Sequence, residues 1–315
     1  MNAKNPPISA PIDQLTTALN DALDLLKEFS NGSQTATVPR QNPASLLEQC
    51  RALCAQHQAA TPDPIRLVHH FACTGGTLIS KCIATMPNVQ LLSEVDPLST
   101  TPDQPIKPRF AASDMVTLMR QSTRGVNQDF IIEMFLNNLE LIHANTVKLG
   151  QRLILRDHAH SHFCLGGEIP ERPSLSAMVS SRFPVRSVVT VRHPLDSFLS
   201  LEANGWVHFT PSTFDEYCKR YLTFLRTYHG VAIIKYENFV DAPEKTMRNL
   251  CFQLDIPYLD KFVDLFSVFE LTGESGRSGD SIQHQPRRTV GKQLERELEQ
   301  SSHYRILVDR LAYGG

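Results

Sequence analysis

The sequence predicts an α/β fold with a mostly parallel central sheet flanked by helices. Five short apolar runs rich in β-branched residues, each separated from the next by a segment long enough for a helix, are "IRLVHHFA", "VQLLSE", "RLILRD", "RSVVTVR" and "GVAIIKYE". Strands that alternate with helices in this way form parallel sheets covered on both faces. With 315 residues, of which 41% are hydrophobic, the chain is long enough to bury such a core.

Two amphipathic helices are predicted before the first strand, in "SAPIDQLTTALNDALDLLKEFS" and "NPASLLEQCRALCAQHQ". They define an N-terminal helical extension over residues 1–62, followed by the main domain over residues 63–315. We expect these helices to form a cap packed on the same chain. The alternative is a partner-binding element through which the chain forms a homo-oligomer.

The first predicted strand leads into a Gly-Gly turn within "FACTGGTLISKCI", residues 71–83. The turn and the start of the helix after it contain Thr74, Gly75, Gly76, Thr77 and Leu78. At the carboxyl end of a parallel strand, such a turn directs backbone N–H groups and a helix N-terminus toward an anion. The Walker pattern G-x-x-x-x-G-K-[ST] is absent, because Thr77 follows Gly76 and the next lysine is Lys81.

A second candidate anion site lies in "SVVTVRHPLDSFLS". Here a strand ends at Arg192, Pro194 begins a new element, and Ser200 lies two turns along the helix that follows. The planar guanidinium of an arginine can donate two parallel hydrogen bonds to one phosphate. The segment therefore predicts a phosphate-binding arginine at the end of a strand.

Together, the two segments resemble the 5′-phosphosulfate loop and the 3′-phosphate motif of sulfotransferases that use 3′-phosphoadenosine 5′-phosphosulfate (PAPS), in the P-loop-like sulfotransferase superfamily. The resemblance extends over residues 65–290. It implies that the turn residues Thr74, Gly75, Gly76, Thr77 and Leu78 hold the 5′-phosphosulfate. It also implies that Arg192 and Ser200 hold the 3′-phosphate, that adenosine 3′,5′-bisphosphate (PAP) is the product, and that no metal is required.

Two further segments resemble parts of the same family. "AIIKYENFV" resembles a strand followed by a tyrosine that lies near the adenine, a role that falls to Tyr236. "GESGRSGDSIQHQPRR" resembles a late loop that closes over the 3′-phosphate, which makes Arg277 a candidate ligand and leaves Arg287 and Arg288 as weaker ones.

Sulfuryl transfer needs in-line positioning, stabilisation of charge on the transferring group, and a base for the acceptor. Many relatives have a Lys or Arg in the loop where this sequence has Thr74. We therefore expect the missing charge to come from Arg156 in "LILRDHAHSH", with Lys81 as the second candidate.

Two residues compete for the role of general base. The segment from Arg156 to His158 resembles the Lys-Thr-His stretch of cytosolic small-molecule sulfotransferases, in which the histidine is the base. Histidine suits this work because its ordinary pKa, about 6.5, lies near neutral pH. Glu94 lies where tyrosylprotein sulfotransferases and some carbohydrate sulfotransferases have a catalytic glutamate. The sequence leaves His158 and Glu94 as alternatives.

Three other hypotheses remain open. His158, His160 and His162 alternate, so on an extended chain they would share one face and suit a metal ion, although a turn after the strand would break that arrangement. Asp157 suits a Walker B aspartate, which would make the protein a P-loop kinase, but the absent Gly-Lys-[Ser/Thr] argues against this. The missing loop lysine is also compatible with a catalytically inactive nucleotide-binding scaffold.

We therefore predict an enzyme that transfers a sulfuryl group from PAPS to a hydroxyl or amine of a glycan, lipid or small molecule. Its acceptor pocket is expected within residues 97–150 and 203–215, which include Trp206. The 31 basic and 33 acidic residues argue against a general nucleic-acid binder. Seven scattered cysteines, no signal peptide and no apolar stretch of about 20 residues predict a cytoplasmic protein.

Overall fold

The predicted apolar runs form one parallel five-stranded sheet in the computed structural model, which describes residues 24, 62–99, 114–120, 122–271 and 281–313. The strands of the described residues are β1 Ile65–His70, β2 Val89–Val95, β3 Arg152–Asp157, β4 Leu165–Gly166, β5 Val185–Val191, β6 His208–Phe209 and β7 Ala232–Lys235. The sheet order is β2-β3-β1-β5-β7, and every neighbouring pair is parallel. The predicted α/β class is confirmed. The short strands β4 and β6 form a separate parallel pair that the sequence did not indicate.

Helices connect the strands. Those of the described residues are α1 Gly76–Ala84, α2 Met115–Arg120, α3 Gln128–Lys148, α4 Ala159–Phe163, α5 Leu175–Ser180, α6 Pro194–Ala203, α7 Phe214–Thr227, α8 Tyr236–Asp241, α9 Pro243–Leu254, α10 Phe262–Leu265, α11 Lys292–Gln300 and α12 Ser302–Arg310. Local sequence explains several of the starts. The Asn127 and Thr213 side chains accept hydrogen bonds from the first turns of α3 and α7, and Pro243 lies in the first turn of α9.

The core lies on both faces of the sheet. On one face, Val68 of β1 packs in an apolar cluster with residues of α1 and α9. Ile65 and Leu67 of the same strand pack with residues of α3 and α5. Successive strand residues point to opposite faces, so β1 is covered on both sides, and all six of its residues are buried.

The carboxyl ends of all five strands meet at one edge of the sheet, because the strands are parallel. The turn after β1, the end of β2, and the residues following β3, β5 and β7 are therefore neighbours there. This edge gathers the motifs that the sequence analysis found at separate places along the chain.

Residues Thr61–Gly315 form one compact unit. The predicted helical extension, 1–62, lies outside the described residues apart from Asp24 and residue 62, and so does Arg277; both remain predictions. Residues 281–291 have no regular secondary structure, as expected for the late loop. None of the helices in the described ranges is long and apolar enough to cross a bilayer.

Candidate active site

The turn after β1 is closed by its own hydrogen bonds. The Thr74 hydroxyl donates to the Phe71 carbonyl at 2.8 Å, and the Thr74 backbone N–H donates to the same oxygen at 3.3 Å. Gly75 follows with φ +84°, a left-handed conformation that favours glycine. Thr74 is fully buried, and these two hydrogen bonds fix the shape of the turn.

Helix α1 begins directly after this turn. Its first hydrogen bond along the helix runs from the Ile79 N–H to the Gly75 carbonyl at 3.2 Å. The N–H groups of Gly76, Thr77 and Leu78 precede that bond and belong to the first turn of the helix. Together with the helix dipole, they favour an anion at this end of α1.

Both glycines of the turn lie against aromatic side chains, Tyr236 at the start of α8 and His70 at the end of β1. A Cβ added to Gly75 would lie 2.2 Å from Cδ2 of Tyr236, the predicted adenine neighbour. A Cβ added to Gly76 would lie 2.4 Å from Cγ of His70. The absence of side chains at these positions thus lets the turn pack closely on Tyr236 and His70.

Arg156 extends from the end of β3 to this turn. Its Nη2 lies 2.8 Å from the Thr77 hydroxyl oxygen, 2.8 Å from Glu94 Oε1 and 3.2 Å from His70 Nε2, and its Nη1 donates to Ser93 at 2.9 Å. Burial lowers the pKa of Arg156 and Glu94 raises it, but a guanidinium keeps its charge in proteins. A fixed positive charge therefore stands beside the turn that lacks a lysine.

His70, which sequence reasoning missed, is one of the groups that hold Arg156. Burial, the Arg156 charge and His158 together keep the pKa of His70 well below its ordinary value. A neutral imidazole can accept the Arg156 hydrogen bond at Nε2. The signal in the sequence was a pair of histidines at the end of the first strand, shortly before the Gly-Gly turn.

Glu94 occupies an irregular position in the edge strand β2. The pairing of β2 with β3 shifts register between Leu92 and Val95, and Glu94 has φ +57°. Such a conformation is uncommon for residues other than glycine, and bulges redirect side chains at functional sites. Burial raises the pKa of Glu94, although Arg156 and His158 act in the opposite direction.

The two candidate bases form a pair. His158 follows β3 directly, and its Nε2 lies 3.5 Å from Glu94 Oε2. The backbone N–H of His158 donates to the Val95 carbonyl at 3.2 Å, which ties the two strand ends together. The His158 side chain remains 25% exposed against 16% for Glu94. The structure thus brings together the three residues predicted for catalysis, Glu94, Arg156 and His158.

Imidazole and indole rings extend from His158 into the predicted acceptor region 203–215. The His160 ring centroid lies 6.3 Å from that of His158, 5.7 Å from that of His208 and 6.4 Å from that of Trp206. Burial, with the neighbouring His158 and His208, lowers the pKa of His160 to about 3, so this ring is neutral. Trp206 is partly buried against the core.

The alternating histidines do not share a face. The segment after His158 winds into α4, and the His162 ring stacks on Phe163 with its Nε2 3.3 Å from the Pro170 carbonyl. Within the described ranges, no group of three or more His, Cys, Asp or Glu side chains is arranged to hold a metal ion.

Asp157 points into the core. Its Oδ2 lies 2.7 Å from His69 Nδ1 and accepts a hydrogen bond of 2.7 Å from the Tyr228 hydroxyl. With only 4% of the residue exposed, this carboxylate is engaged inside the protein. The kinase hypothesis needs the Asp157 carboxylate to face the anion-binding turn as a magnesium ligand, whereas its Oδ2 contacts His69 and Tyr228.

Arg192 lies at the same sheet edge, after β5. Its guanidinium carbon is 4.7 Å from the centroid of the Tyr236 ring, a cation–π contact between two predicted cofactor residues. The Tyr221 hydroxyl accepts from the Arg192 N–H at 3.1 Å and lies 3.3 Å from its carbonyl, which fixes the strand end. Ser200 is buried in α6, and within the described residues no hydrogen bond joins it to Arg192.

No protein-family model matches the chain, and no curated protein sequence does. Several solved structures are similar. The sulfotransferase domain from the curacin biosynthetic pathway aligns over 80% of this chain and 98% of its own, with 14% identity and a TM-score of 0.45. For the sulfotransferase domain from the Synechococcus PCC 7002 olefin synthase the shares are 81% and 96%, with 14% identity and a TM-score of 0.44. For mouse sulfotransferase SULT7A1 complexed with PAP they are 78% and 88%, with 12% identity and a TM-score of 0.38.

Proposed function

We propose that this chain is a PAPS-dependent sulfotransferase, which transfers the sulfuryl group of PAPS to a hydroxyl or amine of a glycan, lipid or small molecule and releases PAP. One observation supports this above all. Arg156 hydrogen-bonds to Thr77 of the anion-binding turn, and the paired Glu94 and His158 lie beside it. Groups suited to two of the three demands of sulfuryl transfer, charge stabilisation and a base, thus lie at one point.

The donor groups on this edge of the sheet suit a phosphosulfate. The backbone N–H groups of Gly76, Thr77 and Leu78 hold its 5′ end, and Arg156 supplies the charge that a loop lysine supplies in many relatives. The Thr77 hydroxyl accepts a hydrogen bond from Arg156, so the guanidinium lies next to the first turn of α1. On the nucleoside side, Arg192 and Ser200 hold the 3′-phosphate and Tyr236 contacts the adenine.

In the reaction, His158 removes the proton of the acceptor hydroxyl while the acceptor oxygen bonds to sulfur. The bond between sulfur and the 5′-phosphate oxygen breaks, and its electron pair leaves with PAP. Arg156 stabilises the negative charge that develops on the transferring group and the departing oxygen. Glu94 stabilises the imidazolium that His158 becomes. General base catalysis of this kind contributes roughly 10²- to 10⁴-fold in rate.

Chemical rescue distinguishes the two candidate bases. We expect His158→Ala to lose most of its kcat and to regain part of it when imidazole is added, because the small base enters the space of the lost ring. Glu94→Ala should gain nothing from imidazole. Rescue of Glu94→Ala by formate, with no rescue of His158→Ala by imidazole, would assign the base to Glu94 instead.

Ligand-dependent unfolding tests the function itself. A ligand at 100 times its Kd stabilises the folded state by about 2.7 kcal/mol, so PAP should raise the Tm, whereas ATP with magnesium should not. Arg192→Ala should abolish this shift, and Arg226→Ala, which changes an exposed arginine on α7, should retain it. Stabilisation by ATP alone would favour the kinase. Failure to transfer sulfate from labelled PAPS to any acceptor in a broad screen would favour the scaffold.

A further inference from the structure

The C-terminal end of the described chain returns to the edge of the sheet that carries Arg192. After α12 the backbone reverses at Ala312, with φ +51°, and the Tyr313 N–H donates to the Val308 carbonyl at 2.9 Å. The Tyr313 ring centroid lies 5.2 Å from that of His193, and Lys235 Nζ lies 4.4 Å above the ring. Tyr313 is therefore inserted between the ends of β5 and β7.

Glu237 connects Tyr313 to the backbone of the proposed phosphate site. Its Oε2 accepts a hydrogen bond of 2.6 Å from the Tyr313 hydroxyl, and its Oε1 accepts one of 2.9 Å from the His193 N–H. His193 directly follows Arg192. Glu237 directly follows Tyr236, over whose ring the Arg192 guanidinium lies. His193 and Glu237 are thus each covalently next to a residue assigned to the cofactor.

A second contact fixes the same segment. The ammonium of Lys235 donates to the Ala312 carbonyl at 3.0 Å, which anchors the backbone next to Tyr313 to the end of β7. Burial and the hydrogen bond to Glu237 raise the pKa of the Tyr313 hydroxyl, so it stays protonated and remains a donor. A hydrogen bond from a neutral hydroxyl to a charged carboxylate belongs to the stronger class.

We propose that Tyr313 is a positioning residue for the 3′-phosphate site, acting through Glu237 and the His193 backbone to hold Arg192 in its place over Tyr236. The inference rests on the proposed function, because it assigns Arg192 to the 3′-phosphate. Tyr313 itself contacts neither Arg192 nor the turn after β1 by any hydrogen bond within the described residues. Its effect should therefore be confined to the one phosphate that Arg192 binds.

The experiment compares two nucleotides that differ by that phosphate. Isothermal titration of the full chain gives the Kd for PAP and for adenosine 5′-monophosphate. The Kd for adenosine 5′-monophosphate divided by the Kd for PAP measures what the 3′-phosphate contributes to binding. We expect Tyr313→Phe to reduce this ratio about fivefold, because the ring stays and only the bond to Glu237 is lost. Glu237→Gln should act in the same direction, since an amide has only one acceptor oxygen for the two donors.

Tyr258→Phe is the matched control. It makes the same chemical change at a ring that lies over the Arg248 guanidinium, 4.0 Å from its carbon, and it should leave the ratio unchanged. If Tyr313→Phe weakens both nucleotides equally, or if neither Tyr313→Phe nor Glu237→Gln changes the ratio, the inference is overturned while the proposed function stands. If the unaltered protein binds PAP no better than adenosine 5′-monophosphate, the proposed function falls, and this inference falls with it.

Discussion

Arg156 joins three strand ends to the turn through Ser93, Glu94, His70 and Thr77. Removal of Arg156 would take away the arginine that pairs with the buried Glu94 carboxylate. The variant would therefore lose stability as well as the positive charge at the reaction centre. Replacement by lysine keeps the charge but loses the planar fork that reaches several partners at once. The two substitutions therefore separate charge from geometry.

We expect Arg156→Ala to lower kcat by roughly 10²- to 10³-fold, the usual effect of removing one group that stabilises transition-state charge. Arg156→Lys should retain an intermediate rate. The affinity for PAP should fall by less than kcat does, because PAP lacks the sulfuryl group that Arg156 faces and keeps only the 5′-phosphate oxygen. Steady-state kinetics with saturating PAPS and titration with PAP give the two quantities. A kcat for Arg156→Ala equal to that of Arg226→Ala would remove Arg156 from the mechanism.

His158 must be neutral to accept the proton and Glu94 must be charged to stabilise the imidazolium, so both groups shape the acid side of the pH profile of activity. The pKa of Glu94 is raised by burial, so kcat/KM should rise with pH through a midpoint above the ordinary glutamate value of about 4.3. Below that midpoint the neutral side chain can neither pair with Arg156 nor stabilise the His158 imidazolium. Glu94→Gln should show low activity without this titration. A Glu94→Gln profile with the same acid limb as the unaltered protein would contradict the prediction.

The stability contributed by Glu94 has the opposite pH dependence. A folded-state pKa above the unfolded one means that the folded state binds the proton more tightly. The contribution is therefore present below the unfolded pKa and is lost as the pH rises through the folded value. Activity gained over this same window cannot come from Glu94 stabilising the fold. Urea unfolding at each pH measures the free energy of unfolding, and therefore the contribution of Glu94 to stability, separately from activity.

At the scale of elements, the turn between β1 and α1 depends on two glycines for different reasons. Gly75 needs a left-handed backbone and also leaves room for the Tyr236 ring, whereas Gly76 leaves room for His70. Gly150, after α3, has a similar φ of +70° but nothing within 4 Å of an added Cβ. A substitution at Gly150 therefore tests the cost of a left-handed backbone alone, without a side-chain overlap.

Gly75→Ala should therefore destabilise the protein more than Gly150→Ala. Both pay about 1–2 kcal/mol for a left-handed alanine, and Gly75→Ala adds roughly 1–3 kcal/mol for the overlap with Tyr236. It should also weaken PAP binding, because the displaced ring supports Arg192. Urea denaturation and PAP titration measure the two effects. Equal losses of stability in the two variants would show that the Tyr236 contact is not tight.

The sequence was sufficient for the five strands of the main sheet and for the meeting of Glu94, Arg156 and His158 at its edge, because both follow from local patterns. Apolar β-branched runs located the five strands of the sheet, and parallel topology then brought Glu94, Arg156 and His158 to one edge. It could not give the register shift in β2 that redirects Glu94, since a bulge depends on pairing with β3. It also missed Glu237 and Tyr313, whose roles arise from a contact across 76 residues of chain.

At the scale of the whole molecule, one compact unit holds all the described residues assigned to the site. These residues run from the turn at 74–78 to Tyr236, and Tyr313 near the C-terminus closes the same edge of the sheet. A parallel sheet makes this possible because each strand end returns to one edge regardless of the length of the connection. Every residue given a role in the proposed reaction thus lies within Thr61–Gly315.

A chain that begins at residue 63 should fold and bind PAP with the affinity of the full chain, because residues 61–315 form a compact unit with its own core. Titration with PAP and cooperative unfolding in urea test this. Analytical ultracentrifugation of the full and truncated chains then gives their masses, which test whether the predicted helices of the extension form a cap or an oligomerisation element. A cap on the same chain predicts one monomeric mass for each, whereas an oligomerisation element predicts a full chain that loses its assembly on deletion. Loss of PAP binding in a folded, truncated chain would place part of the site within the first 62 residues.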